Sequence, residues 1–320
     1  MVDIKKADVQ KLAERYLVKP GKDVDLTRDF PTDDSAGYEK PDNAGEILQV
    51  GVDFLAGMQE RLYAENRRGL LIILQALDAA GKDSTIAHVM SGVNPQGCEV
   101  TSSKAPSAEE LSHDYLWRCV RNLPRRGMIG IFNRSYYEEV LVVRVHPSFL
   151  TAQRLPPQTL GKGLWKQRFE EINNFEKYLV GNGFEIVKIF LTVGKVEQCG
   201  RQLERIDKPD KNWKFNAGDL DERNYWNDYL KAYEDLFRHT STPWAPWYVL
   251  PADKKWFTRI AAAAVIANKL IEMDPQYPTV SAEDRESMAT LRERLVNECG
   301  EPGEAAATKK KNKKSKHKKD

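Results

Sequence analysis

The pattern of apolar and polar positions along the chain predicts its strands and helices. Residues 70–74 read Leu-Leu-Ile-Ile-Leu, an unbroken apolar run that is typical of a parallel strand buried on both faces. Ahead of this run, residues 44–66 carry apolar side chains along one stripe and predict a helix. Shorter apolar runs predict four further strands, at 98–104, 127–132, 184–192 and 247–251.

Amphipathic segments lie between and after these strands. They predict helices at 82–90, 107–122, 136–145, 164–180, 196–206, 225–238 and 255–273. The helix at 107–122 begins with Ser-Ala-Glu-Glu, which is typical of a capping box. Strands that alternate with helices indicate an α/β fold with a parallel sheet and right-handed crossovers.

Composition sets the two ends of the chain apart. Residues 1–43 are polar and rich in Asp, Lys and Pro, and they predict an extended N-terminal arm with little regular structure. Residues 44–275 are the predicted main domain, and 276–300 a C-terminal helical segment. Residues 301–320 end in KKKNKKSKHKK and predict a disordered, lysine-rich tail. A tail that contacts nucleic acid or polyphosphate is the alternative to a solvated one.

The charge of the chain restricts the partners that it can bind. The chain has 49 Lys and Arg against 47 Asp and Glu, for a net charge of +2. Eight of the lysines and three of the acidic residues lie in 301–320, so this tail carries +5 and the remainder −3. The folded part is not globally basic, which disfavours nucleic acid as a partner. A polyanion must therefore be bound by local clusters of Lys and Arg.

The sequence indicates neither a membrane protein nor a secreted one. No stretch approaches the ~18 apolar residues that span a bilayer, and residues 1–10 lack the apolar region of a secretory signal. The four cysteines, at 98, 119, 199 and 299, are far apart and form no CxxC pair. They indicate neither a disulfide framework nor a zinc site, so we expect a cytoplasmic protein with reduced thiols.

The turn between the strand at 70–74 and the helix at 82–90 carries the sharpest chemical signal. From Ala76 to Ser84 it reads Ala-Leu-Asp-Ala-Ala-Gly-Lys-Asp-Ser. Small residues let backbone N–H groups turn inward on phosphate oxygens, while a lysine and a helix N-terminus face the anion. The predicted phosphate-binding residues are Ala79, Ala80, Gly81, Lys82, Asp83 and Ser84.

This turn departs from GxxxxGK[ST] at two positions. Ala76 stands at the first glycine, and Asp83 replaces the magnesium-binding hydroxyl. A tight structural turn, in which Asp83 complements the helix dipole, is therefore the alternative interpretation. Asp78 inside the turn is harder to explain structurally, because a carboxylate beside phosphate is repelled unless magnesium lies between them. We predict that Asp78 is a metal ligand or a base that orients the acceptor.

Two further cations follow predicted strands, at the edge of the sheet where ligands bind in open α/β folds. Arg134 comes after the strand at 127–132, and its planar fork suits phosphate. The alternative for Arg134 is a salt bridge to Glu138 or Glu139. Lys104 ends the strand at 98–104 and either contacts a nucleotide phosphate or is simply exposed.

A series of cations near residue 200 predicts a lid. The spacing of three to four residues would place them on one face of a helix, within a lid around 201–223. Closure of a lid excludes the water that would otherwise take a phosphoryl group. The alternative is an ordinary solvated surface, neutralised by Glu204, Asp207 and Asp210. The cations are Arg201, Arg205, Lys208, Lys211 and Lys214.

Several motifs resemble those of the polyphosphate kinase 2 family. The two strongest are DAAGKD at Asp78–Asp83 and GIFNRSYYE at Gly130–Glu138. VNPQG at 93–97, KAPS at 104–107, NWKF at 212–215 and STPWAPW at 241–247 strengthen the match. These motifs run in family order from about residue 44 to 275, most of the chain, which is far more specific than the turn alone.

The resemblance implies a thymidylate-kinase-like fold, with a three-layer P-loop sheet and a helical lid. The implied activity moves the terminal phosphoryl group of inorganic polyphosphate to a nucleoside mono- or diphosphate, reversibly and with magnesium. It also implies a homo-oligomer, either a dimer or a tetramer. Asn133-Arg134-Ser135-Tyr136-Tyr137-Glu138 is similar to the group that accepts both AMP and ADP and so forms ATP.

One position departs from the pattern of the diphosphate group. Asn133 stands where that group has an aspartate, so it cannot give magnesium the charge of a Walker-B carboxylate. We predict that Glu138 makes up for this. The residues and the resemblance together predict Asp78, Lys82, Arg134 and Glu138 as catalytic, Asp78 and Asn133 as metal ligands, and Lys104, Asn133 and Glu138 as nucleotide-binding.

Two other functions stay open. An ATP-dependent nucleotide kinase of the same fold would use the same Lys82 and Arg134. A non-catalytic polyphosphate-binding protein is the other alternative, but it gains nothing from a carboxylate at Asp78.

Overall fold

The computed structural model describes residues 6–39 and 43–300, and a parallel sheet of five strands lies at its centre. The strand order is β2-β3-β1-β4-β5. All five predicted strands are confirmed, within two residues at each end. They are β1 (Gly69–Ala76), β2 (Cys98–Ser102), β3 (Ile129–Asn133), β4 (Phe184–Thr192) and β5 (Trp247–Pro251).

The register of the central strands brings their carboxyl ends to one edge. Leu74 of β1 lies opposite Asn133 of β3 on one side and Ile189 of β4 on the other. In a parallel sheet, the segments that follow these strands therefore meet above the same edge. The segments that carry Asp78 and Arg134 are thus neighbours in space, although 56 residues separate them in the chain.

The described part of the chain contains thirteen α-helices. Short 3₁₀ turns interrupt the connections between them. The helices are α1 (Lys6–Arg15), α2 (Leu26–Asp29), α3 (Ala44–Glu65), α4 (Lys82–Val89), α5 (Trp117–Val120), α6 (Val142–Val145), α7 (Phe149–Ala152), α8 (Leu164–Gly181), α9 (Lys195–Asp207), α10 (Gly218–Asp221), α11 (Trp226–Thr240), α12 (Lys255–Met273) and α13 (Ala282–Cys299).

The sheet is covered by two groups of helices, which gives the predicted three layers. On β4, Lys188 contacts α8 through Glu176, and the ring of Phe190 packs at a tilt against Tyr233 and Phe237 of α11. On the other side, α12 packs on α3, α4 and the strands β4 and β5. β1 between these layers is buried almost throughout, as its unbroken apolar run predicts.

The prediction of an N-terminal arm with little regular structure is wrong for its described residues. α1 packs on α12, and Ala13, Val18 and Leu26 are 1% exposed. The chain then runs antiparallel beside β5, where the amide of Val18 donates to the carbonyl of Trp247 at 2.8 Å. The segment covers the edge of the sheet, which would otherwise expose unpaired backbone groups. Residues 1–5 and 40–42 lie outside the described residues.

Two predicted helices are broken in the structure. At 107–122 the capping box does form, since Ser107 and Glu110 exchange side chain-to-backbone hydrogen bonds of 3.2 and 2.7 Å. The 3₁₀ turn that it opens ends at Ser112, and the side chain of Asp114 accepts from the amide of Leu116 just before α5 begins. The predicted helix at 136–145 is likewise a 3₁₀ helix, Tyr136–Val140, followed by α6.

The described residues from 277 onward, 277–300, belong to a second compact unit. Its described part contains α13, which begins where Ser281 accepts from the amide of Asp284 at 3.0 Å. The predicted disordered tail at 301–320 lies outside the described residues. Of the helices in the described part of the chain, none is both long and apolar enough to cross a membrane.

Candidate active site

The turn from β1 to α4 forms a concave loop above the sheet edge. Ala79 and Gly81 have φ values of 58° and 107°, and Ala80 lies between them. Alternation of this kind points successive backbone N–H groups toward one side, which creates an anion-binding concavity. Because α4 starts at Lys82, its free N–H groups face the same side. The loop predicted to bind phosphate thus has the backbone geometry of a phosphate loop.

Lys82 folds back over this loop. Its Nζ donates to the carbonyl oxygen of Ala76 at 3.2 Å. Loss of solvent around the amine, and then the charge of Arg134, lower the pKa of Lys82, while Asp78 and Glu138 oppose the shift; the resulting pKa is about 8. The amine is therefore a cation held in a poorly solvated place, which an incoming anion would stabilise.

Arg134 reaches this site from the end of β3 in a left-handed backbone conformation, with φ 65°. Its amide donates to the carbonyl of Leu74 at 3.0 Å, so its backbone stays tied to β1. Its Nη2 donates to Oδ1 of Asp78 at 3.0 Å, and its Nη1 lies 3.6 Å from Oε2 of Glu138. A non-glycine residue in this region stores strain, and such residues are concentrated at functional sites.

The salt bridge from Arg134 to Glu138 is thus present, but Glu139 faces elsewhere. Glu139 is buried and accepts from Gln153 at 2.7 Å, and it lies 3.5 Å from Arg168. Glu138, and then Asp78, raise the pKa of the Arg134 guanidinium against the effect of burial. Arg134 is therefore a permanent cation, positioned by two carboxylates.

A fully buried polar cluster supports the turn that follows Arg134. The ammonium of Lys188 donates to Glu176 at 2.7 Å, and the hydroxyls of Tyr136 and Tyr137 donate to the same carboxylate. Removal of one partner of such a buried pair costs about 3–5 kcal/mol. This cluster fixes the turn from beneath and so holds Arg134 and Glu138 in place.

The two residues predicted to bind metal are not bonded to one another. Asp78 accepts from Arg134, while Nδ2 of Asn133 donates to Asp83 at 2.6 Å. Among the described residues, no three His, Cys, Asp or Glu side chains are grouped to hold a metal ion. Mg²⁺ commonly binds one or two carboxylates and completes its shell with water and substrate phosphates. The oxygen donors beside the loop fit such an ion, and their role as ligands stays a prediction.

The cations near residue 200 do not share one helix face, so that prediction is wrong. α9 ends at Asp207, and residues Pro209–Lys214 form a 3₁₀ helix, because Pro209 cannot continue the α-helical hydrogen bonding. Lys208 and Lys211 both pair with Glu204, and Arg205 pairs with Asp219. Lys214 lies over the exposed ring of Trp213.

Arg201 differs from the other cations in this series. It is buried, and its Nη1 donates to the carbonyls of Ala79 and Ala80 at 3.0 and 2.8 Å. The structure therefore places it behind the phosphate loop, in contact with its backbone. Direct binding of polyphosphate by the cations of this series stays a prediction.

A cavity of about 750 Å³ opens beside Arg134. Its size is typical of small-molecule sites, which combine apolar walls with a few polar groups. It brings together predicted residues that are distant in the chain, and it adds others that the sequence analysis missed. Its lining includes Lys104, Leu111, Tyr115, Arg134, Glu138 and Arg168.

Other contacts of the site were also missed from the sequence. Arg259 of α12 donates to Oγ of Ser84 at 3.0 Å, and Gln198 of α9 donates to the carbonyl of Asp78 at 3.0 Å. Burial, and then the charge of Asp78, raise the pKa of Asp219, which places that carboxyl near the loop. No motif marks these residues, since each meets the loop across more than 100 positions of sequence.

Known proteins resemble this chain over most of its length. The sequence profile of the family described as Polyphosphate kinase 2 (PPK2) matches residues 39–278. A protein of Rhodopseudomonas palustris named ADP-polyphosphate phosphotransferase is 48% identical over 284 residues, which cover 88% of this chain and 98% of that protein. An AMP/ADP-polyphosphate phosphotransferase of Meiothermus ruber is 43% identical over 266 residues, covering 83% of this chain and 95% of that one.

A solved structure shares the fold. The crystal structure of polyphosphate kinase 2 from Arthrobacter aurescens superimposes with a TM-score of 0.78 at 37% sequence identity. The match covers 87% of this chain and 96% of the other. The predicted P-loop kinase-like fold is confirmed by this likeness together with the parallel sheet of five strands.

Proposed function

Because this chain belongs to the polyphosphate kinase 2 family and is a phosphotransferase, we propose that it moves the terminal phosphoryl group of inorganic polyphosphate to AMP and ADP. The observation that carries the proposal is the convergence of Lys82 and Arg134 at the phosphate loop. Asp78 of the loop accepts a hydrogen bond from the guanidinium of Arg134 and so joins the two. Phosphoryl transfer depends mainly on positioning and charge neutralisation, which this arrangement supplies. AMP would give ADP, and ADP would give ATP.

The donor end of the reaction lies at the loop. The N–H groups of the loop and the amine of Lys82 bind the terminal phosphates, and Arg134 neutralises the charge on the group in transfer. Four cations predicted to bind polyphosphate then contact the polyphosphate chain where it leaves the loop. They are Arg205, Lys208, Lys211 and Lys214. Their pairing with acidic partners means that polyphosphate must displace carboxylates such as Glu204.

The acceptor end lies in the cavity beside Arg134. Lys104 and Glu138 both line it, and they are the predicted contacts to nucleotide. A nucleoside monophosphate seated there points its phosphate at Arg134 and the loop. Asp78, held by Arg134, is suited to orient the attacking phosphate oxygen.

Magnesium is the cofactor that this proposal includes. Once bound, the ion would neutralise part of the charge of the phosphates. Asp78 and Asn133 are the residues proposed to hold it, and Glu138 supplies the charge that Asn133 lacks. Without the ion, the carboxylates of Asp78 and Glu138 near Lys82 would repel the phosphates.

We also propose that the enzyme is a cytoplasmic homo-oligomer, either a dimer or a tetramer. All four cysteines are free, which suits a reducing compartment. Met288, Leu291 and Leu295 of α13 are exposed at helical spacing, and a second copy would bury them. Light scattering of the purified protein should give a multiple of the chain mass, whereas the mass of one chain would contradict this assignment.

The test of the proposed function is a nucleotide assay by chromatography. The protein is mixed with Mg²⁺, long-chain polyphosphate and AMP, without ATP. We expect ADP and then ATP to appear. Conversion of ADP alone would remove AMP from the acceptors and contradict the role given to Glu138. Conversion that requires added ATP as donor would establish an ATP-dependent nucleotide kinase instead.

We expect kcat/KM for polyphosphate to fall as the pH rises above about 8. This quantity reports ionisation of the free enzyme, in which the lowered pKa of Lys82 is about 8. Below that pH the amine is charged and attracts the polyanion, and above it the charge is lost. The rate should be followed from about pH 6.5 to about pH 9.5. A Lys82→Arg variant stays charged throughout, so an identical fall in that variant would contradict the assignment to Lys82.

A further inference from the structure

Two side chains of α9 contact the phosphate loop from the side opposite its N–H groups. Gln198 and Arg201 lie three residues apart on one helix face, and they are 3% and 7% exposed. We propose that both are positioning residues, which hold the carbonyl groups of the loop so that the N–H groups of Ala79 and Gly81 stay turned toward phosphate. The inference rests on the proposed function only in taking the loop as the phosphate site.

Three consecutive carbonyls of the loop accept hydrogen bonds from these two side chains. Nε2 of Gln198 donates to the carbonyl of Asp78 at 3.0 Å. Nη1 of Arg201 donates to the carbonyls of Ala79 and Ala80 at 3.0 and 2.8 Å. No other side chain of the described residues is seen to donate to these three carbonyls.

Planarity of the peptide unit transmits this restraint to the N–H groups. In a trans peptide the C=O and the following N–H point in opposite directions, so fixing one fixes the other. The carbonyls of Asp78 and Ala80 thereby direct the N–H groups of Ala79 and Gly81. The N–H of Ala80 is held within the turn, where it donates to Leu77 at 3.3 Å. The left-handed φ values of Ala79 and Gly81 are those that the arrangement requires.

Arg201 is itself rigidly held. Its Nε donates to Glu197 at 2.7 Å, and its Nη2 donates to the carbonyls of Ala252 and Asp253 at 2.5 and 3.3 Å. The guanidinium thus joins the loop after β1 to the turn after β5. Its planar fork of donors meets several carbonyls at once, which the single ammonium of a lysine cannot do.

The orientation of Gln198 is set by a second guanidinium. Arg223 donates to Oε1 of Gln198. Because a guanidinium only donates and a carbonyl only accepts, the amide oxygen of Gln198 must face Arg223 and its NH₂ must face Asp78. Arg223 belongs to the segment predicted as a lid, so Gln198 connects that segment to the phosphate loop.

The inference predicts how variants of these residues change turnover. In Gln198→Ala we expect kcat to fall about tenfold, because one contact to a loop carbonyl is lost. In Arg201→Met we expect a fall of about a hundredfold, because two contacts to loop carbonyls are lost. Arg201→Lys should lie between Arg201→Met and the wild type, because an ammonium still donates to one carbonyl. KM for AMP should change by less than about twofold, because the acceptor site is untouched.

Gln49→Ala is the matched control. Gln49 is exposed on α3 and donates to Asp53, so the same substitution is made far from the loop. This variant should keep wild-type kcat and KM. A loss of kcat in the α9 variants that is explained by a lowered melting temperature, with no partial rescue by Arg201→Lys, would overturn the inference.

A crystal structure of the free Gln198→Ala protein decides the inference without any substrate. We expect the Asp78–Ala79 peptide to be turned, or to occupy two orientations, while β1 and α4 stay in place. A loop with the wild-type peptide orientation and the same relative B-factors would overturn the inference. If the wild type transfers nothing from polyphosphate, the proposed function fails, yet this structural comparison still tells whether Gln198 positions the loop. Gln198→Ala serves this purpose even if Arg201→Met does not fold.

Discussion

Substitution of Lys82 by methionine should lower kcat for polyphosphate-driven ATP formation at least about a thousandfold. Lys82 is a residue of the loop itself, and its poorly solvated amine should interact strongly with phosphate. Methionine keeps the length and packing of the side chain but removes the charge. Turnover of ADP with excess polyphosphate, measured by chromatography, gives the effect.

The control for this variant is Lys166→Met. Lys166 is exposed on α8, 3.9 Å from Glu170, and is not part of the site. The control should retain wild-type turnover and melting temperature. If Lys82→Met also retained turnover within about tenfold, the loop would not be the site of phosphoryl transfer.

Asp78→Asn should lower turnover by at least about a hundredfold while binding of polyphosphate is kept. The amide has the same shape as the carboxylate, but it cannot take a proton or give charge to a metal ion. It also weakens the 3.0 Å contact that orients Arg134. Removal of a negative charge beside the anion should leave affinity for polyphosphate equal or higher, as titration calorimetry would measure.

Asp53→Asn provides the matched control, because Asp53 is exposed on α3 and accepts only from Gln49 among the hydrogen bonds described. Turnover in that variant should be unchanged. Wild-type turnover in Asp78→Asn would remove Asp78 from the mechanism. Loss of binding in proportion to turnover would show instead that Asp78 acts by holding Arg134 and the loop.

Much of the fold was predictable because its central strands are buried on both faces. β1 and β4 are local apolar runs, and such runs leave few alternatives to a parallel strand. The N-terminal segment was mispredicted for the opposite reason. Its overall composition is polar, and the few apolar residues of α1 are buried only because α12 offers them a surface.

The two broken helices show that sequence periodicity does not determine how long a helix is. The capping box at Ser107 forms as predicted, yet the helix stops after one turn. Local hydrogen bonding starts a helix, but packing decides its length, since short helices are marginally stable alone. Here the next turns bend to line the cavity beside Arg134, so the tertiary contacts prevail over the local pattern.

The sequence by itself determined which segments form the sheet, and it placed the residues that are predicted to carry the chemistry. Lys82 lies in a contiguous motif, and Arg134 lies directly after a strand, so their placement depends on neighbours a few positions away. Only the tertiary structure decided what the other charged groups contact. Arg201, for which contact with polyphosphate is predicted, is buried and meets carbonyls of Ala79 and Ala80, more than 100 positions away in the chain. Periodicity indicates which face of a helix turns inward. The partner that a side chain on that face meets depends on how distant segments of the chain pack. This packing therefore decides whether a cation can bind substrate or instead holds the backbone of the loop.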